Sequence, residues 1–138
     1  MDTIFAQATA AGKAGVSIVR VSGPDARAAA AVFGLELASL DRKVGRLLDR
    51  DGALIDIAFI LSFEPGRSFT GEPVVEFHTH GSSVIVSRVL NRLAEAGFRL
   101  ADAGEFTRRA LETGQLDLAQ IEGLADLIDA ETEEQRRQ

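Results

Sequence analysis

Apolar and polar residues alternate with period two along three stretches of this chain, and each alternation predicts a strand. Val16 to Val21 is the first, with Val16, Ile18 and Arg20 on one face, so that a guanidinium closes an otherwise apolar row. Ala53 to Phe63 is the second; Ile55, Ile57, Phe59, Leu61 and Phe63 share one face without interruption, which marks it as the main core strand. Val74 to Thr79 is the third. One of its faces carries Val75, Phe77 and Thr79, and the other Val74, Glu76, His78 and His80. A purely structural strand is more often apolar on one face and short-polar on the other, so a face holding a carboxylate and two imidazoles reads as a ligand wall.

Shorter signals fill the gaps. Thr3 to Thr9 is mildly β-prone, and Ala10 to Gly15 is a small, flexible connection. Ser22-Gly23-Pro24-Asp25 opens an alanine-rich helix, with Ser22 near the cap, Pro24 in the first turn and Gly34 as the stop. Leu35 to Lys43 is ambiguous. Val44 to Leu48 and the strand from Ala53 flank Asp49-Arg50-Asp51-Gly52, a hairpin turn in which Asp-Gly supplies the positive φ.

Beyond the focal strand, Ile85, Val86, Val89, Leu90 and Leu93 recur at helical spacing between about Ser82 and Ala96, with Ser87, Arg88, Asn91, Arg92 and Glu95 facing water. Gly97 ends that helix, and Phe98 to Leu100 returns as a short strand. Gly104 to Ala110 begins another helical region, which breaks at Thr113-Gly114. Asp117 then caps a long helix whose apolar stripe is Leu118, Ile121, Leu124, Ala125 and Ile128, followed by an entirely polar Glu131 to Gln138. The fold class this predicts is α+β: a mixed sheet with helices covering one face, at residues 1–116, then the start of a truncated helical domain at 117–138.

Composition narrows the function. The chain has 138 residues, 46% hydrophobic and 26% charged, which suits a packed domain and argues against disorder. Without cysteine there is neither a disulfide framework nor a thiolate metal site. No apolar run approaches the roughly 18 residues of a membrane span, and Met1-Asp2-Thr3 lacks a basic leader, so a cytoplasmic protein with no membrane partner is expected. The net charge of −6 comes from residues 101–138, which hold 10 acids and 4 bases. Such a chain has no clustered basic surface for gripping RNA or DNA by itself.

The chemistry turns on a few side chains. Glu76 suits a ligand with adjacent N–H donors, because a carboxylate accepts two hydrogen bonds in a fork, and Arg20 suits a carboxylate or carbonyl. Equally, the two can pair with one another across neighbouring strands, or Arg20 can reach solvent at a strand edge. His78-Thr79-His80 would need a third ligand such as Glu76 to hold a catalytic metal, and the expectation is no metal site. Gly12-Lys13-Ala14-Gly15 lacks the spacing and trailing hydroxyl of a phosphate-binding loop and precedes a strand, so no GTP turnover is expected from these residues.

Taken together, the motifs Asp2-Thr3-Ile4-Phe5-Ala6, Arg20-Val21-Ser22-Gly23-Pro24, Ser68-Phe69-Thr70-Gly71-Glu72, Val75-Glu76, His80-Gly81, Gly104-Glu105-Phe106-Thr107-Arg108-Arg109-Ala110 and Leu116-Asp117-Leu118-Ala119-Gln120 resemble the N-terminal region of the MnmE (TrmE) family of tRNA modification GTPases. The match covers essentially the whole chain. The resemblance implies a domain that binds a tetrahydrofolate derivative, 5-formyl or 5,10-methylene, and forms a homodimer. It implies work with the FAD-containing partner MnmG on carbon 5 of the wobble uridine of tRNA. GTP, Mg and K belong to the family's GTPase domain, which is absent from these residues. Carried over by position, Arg20, Glu76 and Gln115 are the folate-binding residues, with Glu76 accepting from the pterin amino group and ring N–H. Gln115 stands where the family has Lys, an amide in place of a charge; Pro73 and Ser82 replace the usual Asp and Gly. The rival reading is a structural dimerisation domain that positions the GTPase without holding folate.

Overall fold

A computed structural model describes residues 2–8 and 15–116. The segments 9–14 and 117–138, with most of the Ala10 to Gly15 connection and the long helix expected from Asp117, lie outside the described residues, so the two-domain division is an expectation only. Six strands and three helices follow in the order β1 (Ile4–Gln7), β2 (Val16–Ser22), α1 (Ala26–Val32), β3 (Asp41–Leu48), β4 (Leu54–Phe63), β5 (Val74–His80), α2 (Ser83–Glu95), β6 (Arg99–Leu100) and α3 (Glu105–Glu112). This is the expected α+β fold.

All six strands join one sheet in the spatial order β3-β4-β5-β2-β1-β6, antiparallel except for the short parallel pairing of β1 with β6. The β3–β4 hairpin closes as the Asp-Gly signal predicted, with Gly52 at φ +85° and its N–H donating to the Asp49 carbonyl. Its two strands slip register between Leu47 and Leu48, so that Leu47 faces Asp56 while Leu48 faces Leu54. That bulge leaves Ile55 as an extra residue, and Ile55 is buried in the core.

Helices α1 and α2 cover one face of the sheet. Phe5, Val19, Val21, Ala58, Ile60, Val75 and Phe77 meet Ala26, Ala29, Ala30 and Phe33 from α1, and Val86, Val89 and Leu93 from α2. The Phe33 and Phe77 rings pack edge to face at 5.2 Å. Small alanines on α1 let the helix backbone approach the sheet closely, which is why an alanine-rich stretch suffices there.

Four expectations need correcting. The row Ile57, Phe59, Leu61, Phe63 is not the core side of β4: Ile57 and Phe59 are exposed, and the core side is Ala58 and Ile60. Arg20 does not reach solvent at a strand edge, because β2 lies between β5 and β1. Ser22 does not cap α1; it ends β2, its hydroxyl bonds Thr70 and Glu72, and the Asp25 N–H is met by Thr3 Oγ1. Arg92 does not simply face water, since one of its terminal nitrogens donates to the Val32 carbonyl. Helix α3, whose side of the sheet the sequence reading left open, lies apart from α1 and α2, with Phe106 against Arg20 on the side those helices leave open.

Candidate functional site

On the open side of the sheet, the antiparallel register of β2 and β5 sets Arg20 directly opposite Glu76, Ile18 opposite His78 and Val16 opposite His80. Their neighbours Val19, Val21, Val75 and Phe77 point the other way into the core and fix both backbones. The charged pair therefore projects from two adjacent interior strands of the sheet. Arg20 Nε donates to Glu76 Oε2 at 2.9 Å, and both side chains are largely shielded, 20% and 12% exposed. The second carboxylate oxygen, Oε1, lies 3.1 Å from His78 Nε2, which selects the imidazole tautomer with its hydrogen on that nitrogen. The His78 ring in turn stands edge-on to Phe59, centroids 6.1 Å apart.

Arg20 is further held from above. Its Cζ lies 5.0 Å from the Phe69 ring centroid and 5.4 Å from that of Phe106. A cavity of about 420 Å³ opens beside them, lined by Arg20, Phe69 and Phe106 together with Gln7 and Gly104. The terminal guanidinium nitrogens have no hydrogen-bond partner among the described residues. The arrangement can offer two or more donors to a carbonyl or carboxylate, and one carboxylate to a donor pair.

Gln115 does not line that cavity. It follows α3, its backbone N–H donates to the Ala110 carbonyl, and its side chain packs over Gly71. No hydrogen bond joins it to Arg20 or Glu76 among the described residues. The link is the loop 64–73, which carries both Phe69 and Gly71. Gly71 sits at φ +81°, and a Cβ there would come within 2.4 Å of Thr113 Oγ1, so only glycine lets the loop close on the end of α3.

That loop and α3 are bound together by ions. Arg109, 3% exposed, donates to Glu72 at 3.0 Å, to Asp2 Oδ1 at 2.7 Å and to Glu105 at 3.2 Å. Arg99 adds a fork onto Glu105 and a contact with Asp2. The Arg99 guanidinium beside Glu105 holds its carboxyl down at about 2 against the opposing effect of burial. Asp2 is likewise held well below the usual carboxylate range, by Arg99 first and then Arg109. The sequence reading gave none of these residues a role, and neither did it give one to Phe69 or Phe106: Arg109 meets Asp2 and Glu72 across 107 and 37 positions and the two rings meet Arg20 from distant elements, while Glu105 meets Arg99 and Arg109 locally.

His80, at the end of β5, belongs to a separate pair. Its backbone N–H donates to Asp56 Oδ2 at 2.9 Å and its Nδ1 lies 2.8 Å from Oδ1, so the carboxylate fixes the turn that leads into α2. Thus the two histidines of the His-x-His stretch are engaged by different carboxylates. No three His, Asp or Glu groups among the described residues stand together as ligands for a metal.

Comparison of the sequence with known proteins identifies a family. The family described as GTP-binding protein TrmE N-terminus matches residues 3–115. The chain is 59% identical to the tRNA modification GTPase MnmE of Cereibacter sphaeroides, over all of this chain and 32% of that protein. It is 56% identical to the proteins of the same name from Roseobacter denitrificans and Caulobacter vibrioides, over 100% and 99% of this chain and 33% and 31% of theirs. It spans about a third of the length of these curated relatives.

Proposed function

This chain belongs to the TrmE N-terminal family of tRNA modification GTPases, and from that premise we propose that it binds a tetrahydrofolate one-carbon donor at Arg20 and Glu76. The observation that carries the reading is the Arg20–Glu76 pair itself, shielded, mutually oriented and set beside a cavity of about 420 Å³. Those donors and acceptors suit a folate. Glu76 would accept from the 2-amino group and ring N–H of the pterin, exchanging its contact with Arg20 or His78, while the free guanidinium nitrogens of Arg20 would meet a carbonyl or carboxylate of the ligand. Bound there, 5-formyl- or 5,10-methylene-tetrahydrofolate would supply the one-carbon unit; the protein's own part is to hold and orient it and to keep the site dry. Gln115 would contribute an amide from the α3 side after movement of its side chain.

The second part of the proposal is a homodimer formed through the open face of the sheet. Val16, Val44, Ile57 and Phe59 are exposed there side by side, the anatomy of an apolar interface centre, with Arg42 and Arg46, unpaired among the described residues, at its margin. The edge strand β3 is an unfavourable alternative, because Arg42, Lys43 and Arg46 discourage pairing of like edges. In the whole protein this unit would work with MnmG on carbon 5 of the wobble uridine, tRNA being reached through the rest of the complex rather than through this acidic chain, in the cytoplasm.

Calorimetric titration of 5-formyltetrahydrofolate into the chain tests the first part, with Glu76→Ala as the control. Saturable binding that the substitution weakens by at least tenfold is expected, since a charge-assisted fork is lost. A folded wild type that takes up no folate leaves the structural dimerisation reading in its place.

A further inference from the structure

Two aromatic rings from different elements converge on one guanidinium. Phe69 comes from the loop between β4 and β5 and remains 37% exposed, and Phe106 comes from the first turn of α3. Both rings lie within the distance at which a ring quadrupole attracts a cation, 5.0 and 5.4 Å from Arg20 Cζ. The Nε of Arg20 is meanwhile committed to Glu76 at 2.9 Å. Three contacts thus fix a side chain that otherwise has four rotatable bonds, and they leave its terminal N–H groups at the cavity with no partner among the described residues.

We infer that Phe69 and Phe106 are positioning residues, which hold Arg20 in the pose from which its terminal N–H groups meet a ligand. The rings do not replace a hydrogen bond. They remove the entropy cost of ordering the arginine at the moment of binding, so the benefit appears as affinity. Because one ring rides on the loop and the other on α3, the pose requires both elements to be docked. Only the ligand's identity rests on the folate reading; the pose belongs to the free protein.

The test uses Phe69→Leu and Phe106→Leu, which keep apolar bulk and remove the ring, with Phe69→Tyr and Phe106→Tyr to restore it. If a Leu variant fails to fold, the Met variant at that position replaces it. The first readout is the Arg20 Nε–Hε resonance of ligand-free protein. Rings held over the guanidinium shift it away from an unstructured arginine; the Leu variants should move it back towards that value and the Tyr variants should not. The second readout is affinity for 5-formyltetrahydrofolate, expected to fall about 3- to 10-fold in each Leu variant and to return in the Tyr variants. An Arg20 resonance indifferent to both Leu substitutions overturns the inference, as do Leu variants that bind like wild type. Should wild type itself bind no folate, the folate reading falls and the resonance alone decides the positioning role.

Discussion

Glu105 shows how a single residue ties stability to pH. Its carboxyl titrates at about 2 in the folded protein, against an ordinary value of 4.5, because Arg99 hydrogen-bonds the charged form. A depressed carboxylate contributes stability that is complete above its unfolded value and is lost as the pH falls through the folded one. Urea unfolding followed from pH 7 to pH 2 should therefore lose stability between about 4.5 and 2. Glu105→Gln should be less stable at pH 7 and show a smaller drop across that window; an unchanged profile would remove Glu105 from the account. Arg20 was legible as a charge closing an otherwise apolar row, and Glu76 as a carboxylate sharing a strand face with His78 and His80. What period two could not say was that they oppose each other, since register belongs to the pairing of two strands and each strand's pattern is silent about it.

Among the elements, α3 is held by ion pairs that reach far along the chain. It is a short helix of 8 residues whose N-cap, Gly104, offers no side-chain hydrogen bond, so its own propensity gives it little independent stability. Arg109 compensates by reaching Asp2 before β1 and Glu72 before β5. Removing it by Arg109→Ala would leave Glu72 without its cation, while Asp2 and Glu105 keep Arg99, and breaking a buried pair in this way costs about 3 to 5 kcal/mol. Denaturation should show a loss of that order, and amide exchange should rise first in α3 and the loop 64–73. Exchange that rises uniformly would mean α3 is held by something else. The β4 strand teaches a complementary lesson. Both of its faces carry large apolar residues, so alternation identified a strand correctly and chose the wrong side as core. The inward side holds Ala58 and Ile60, both buried in the core beneath the helices.

For the molecule as a whole, the unanswered surface is the open face of the sheet. Two exposed residues, Phe59 and Val44, lie opposite each other in the β3–β4 register and form its centre. If the face carries the proposed dimer, Phe59→Asp should shift sedimentation to the monomer while leaving the unfolding midpoint of that monomer nearly unchanged, because the side chain is 40% exposed before association. A variant that stays dimeric would move the interface elsewhere. The sequence alone determined the element order, the hairpin, the helix stops and the α+β class, because each depends on neighbours a few residues apart and on the intrinsic conformational preferences of glycine, proline and branched side chains. The family was legible too, through motifs in their order. Only the tertiary structure decided which face of the sheet the helices cover, where α3 docks, and that Phe69, Phe106 and Glu76 meet at Arg20. Those outcomes depend on groups as much as 107 positions apart, brought together by burial of a shared core, and no local pattern encodes which of two apolar faces will be buried.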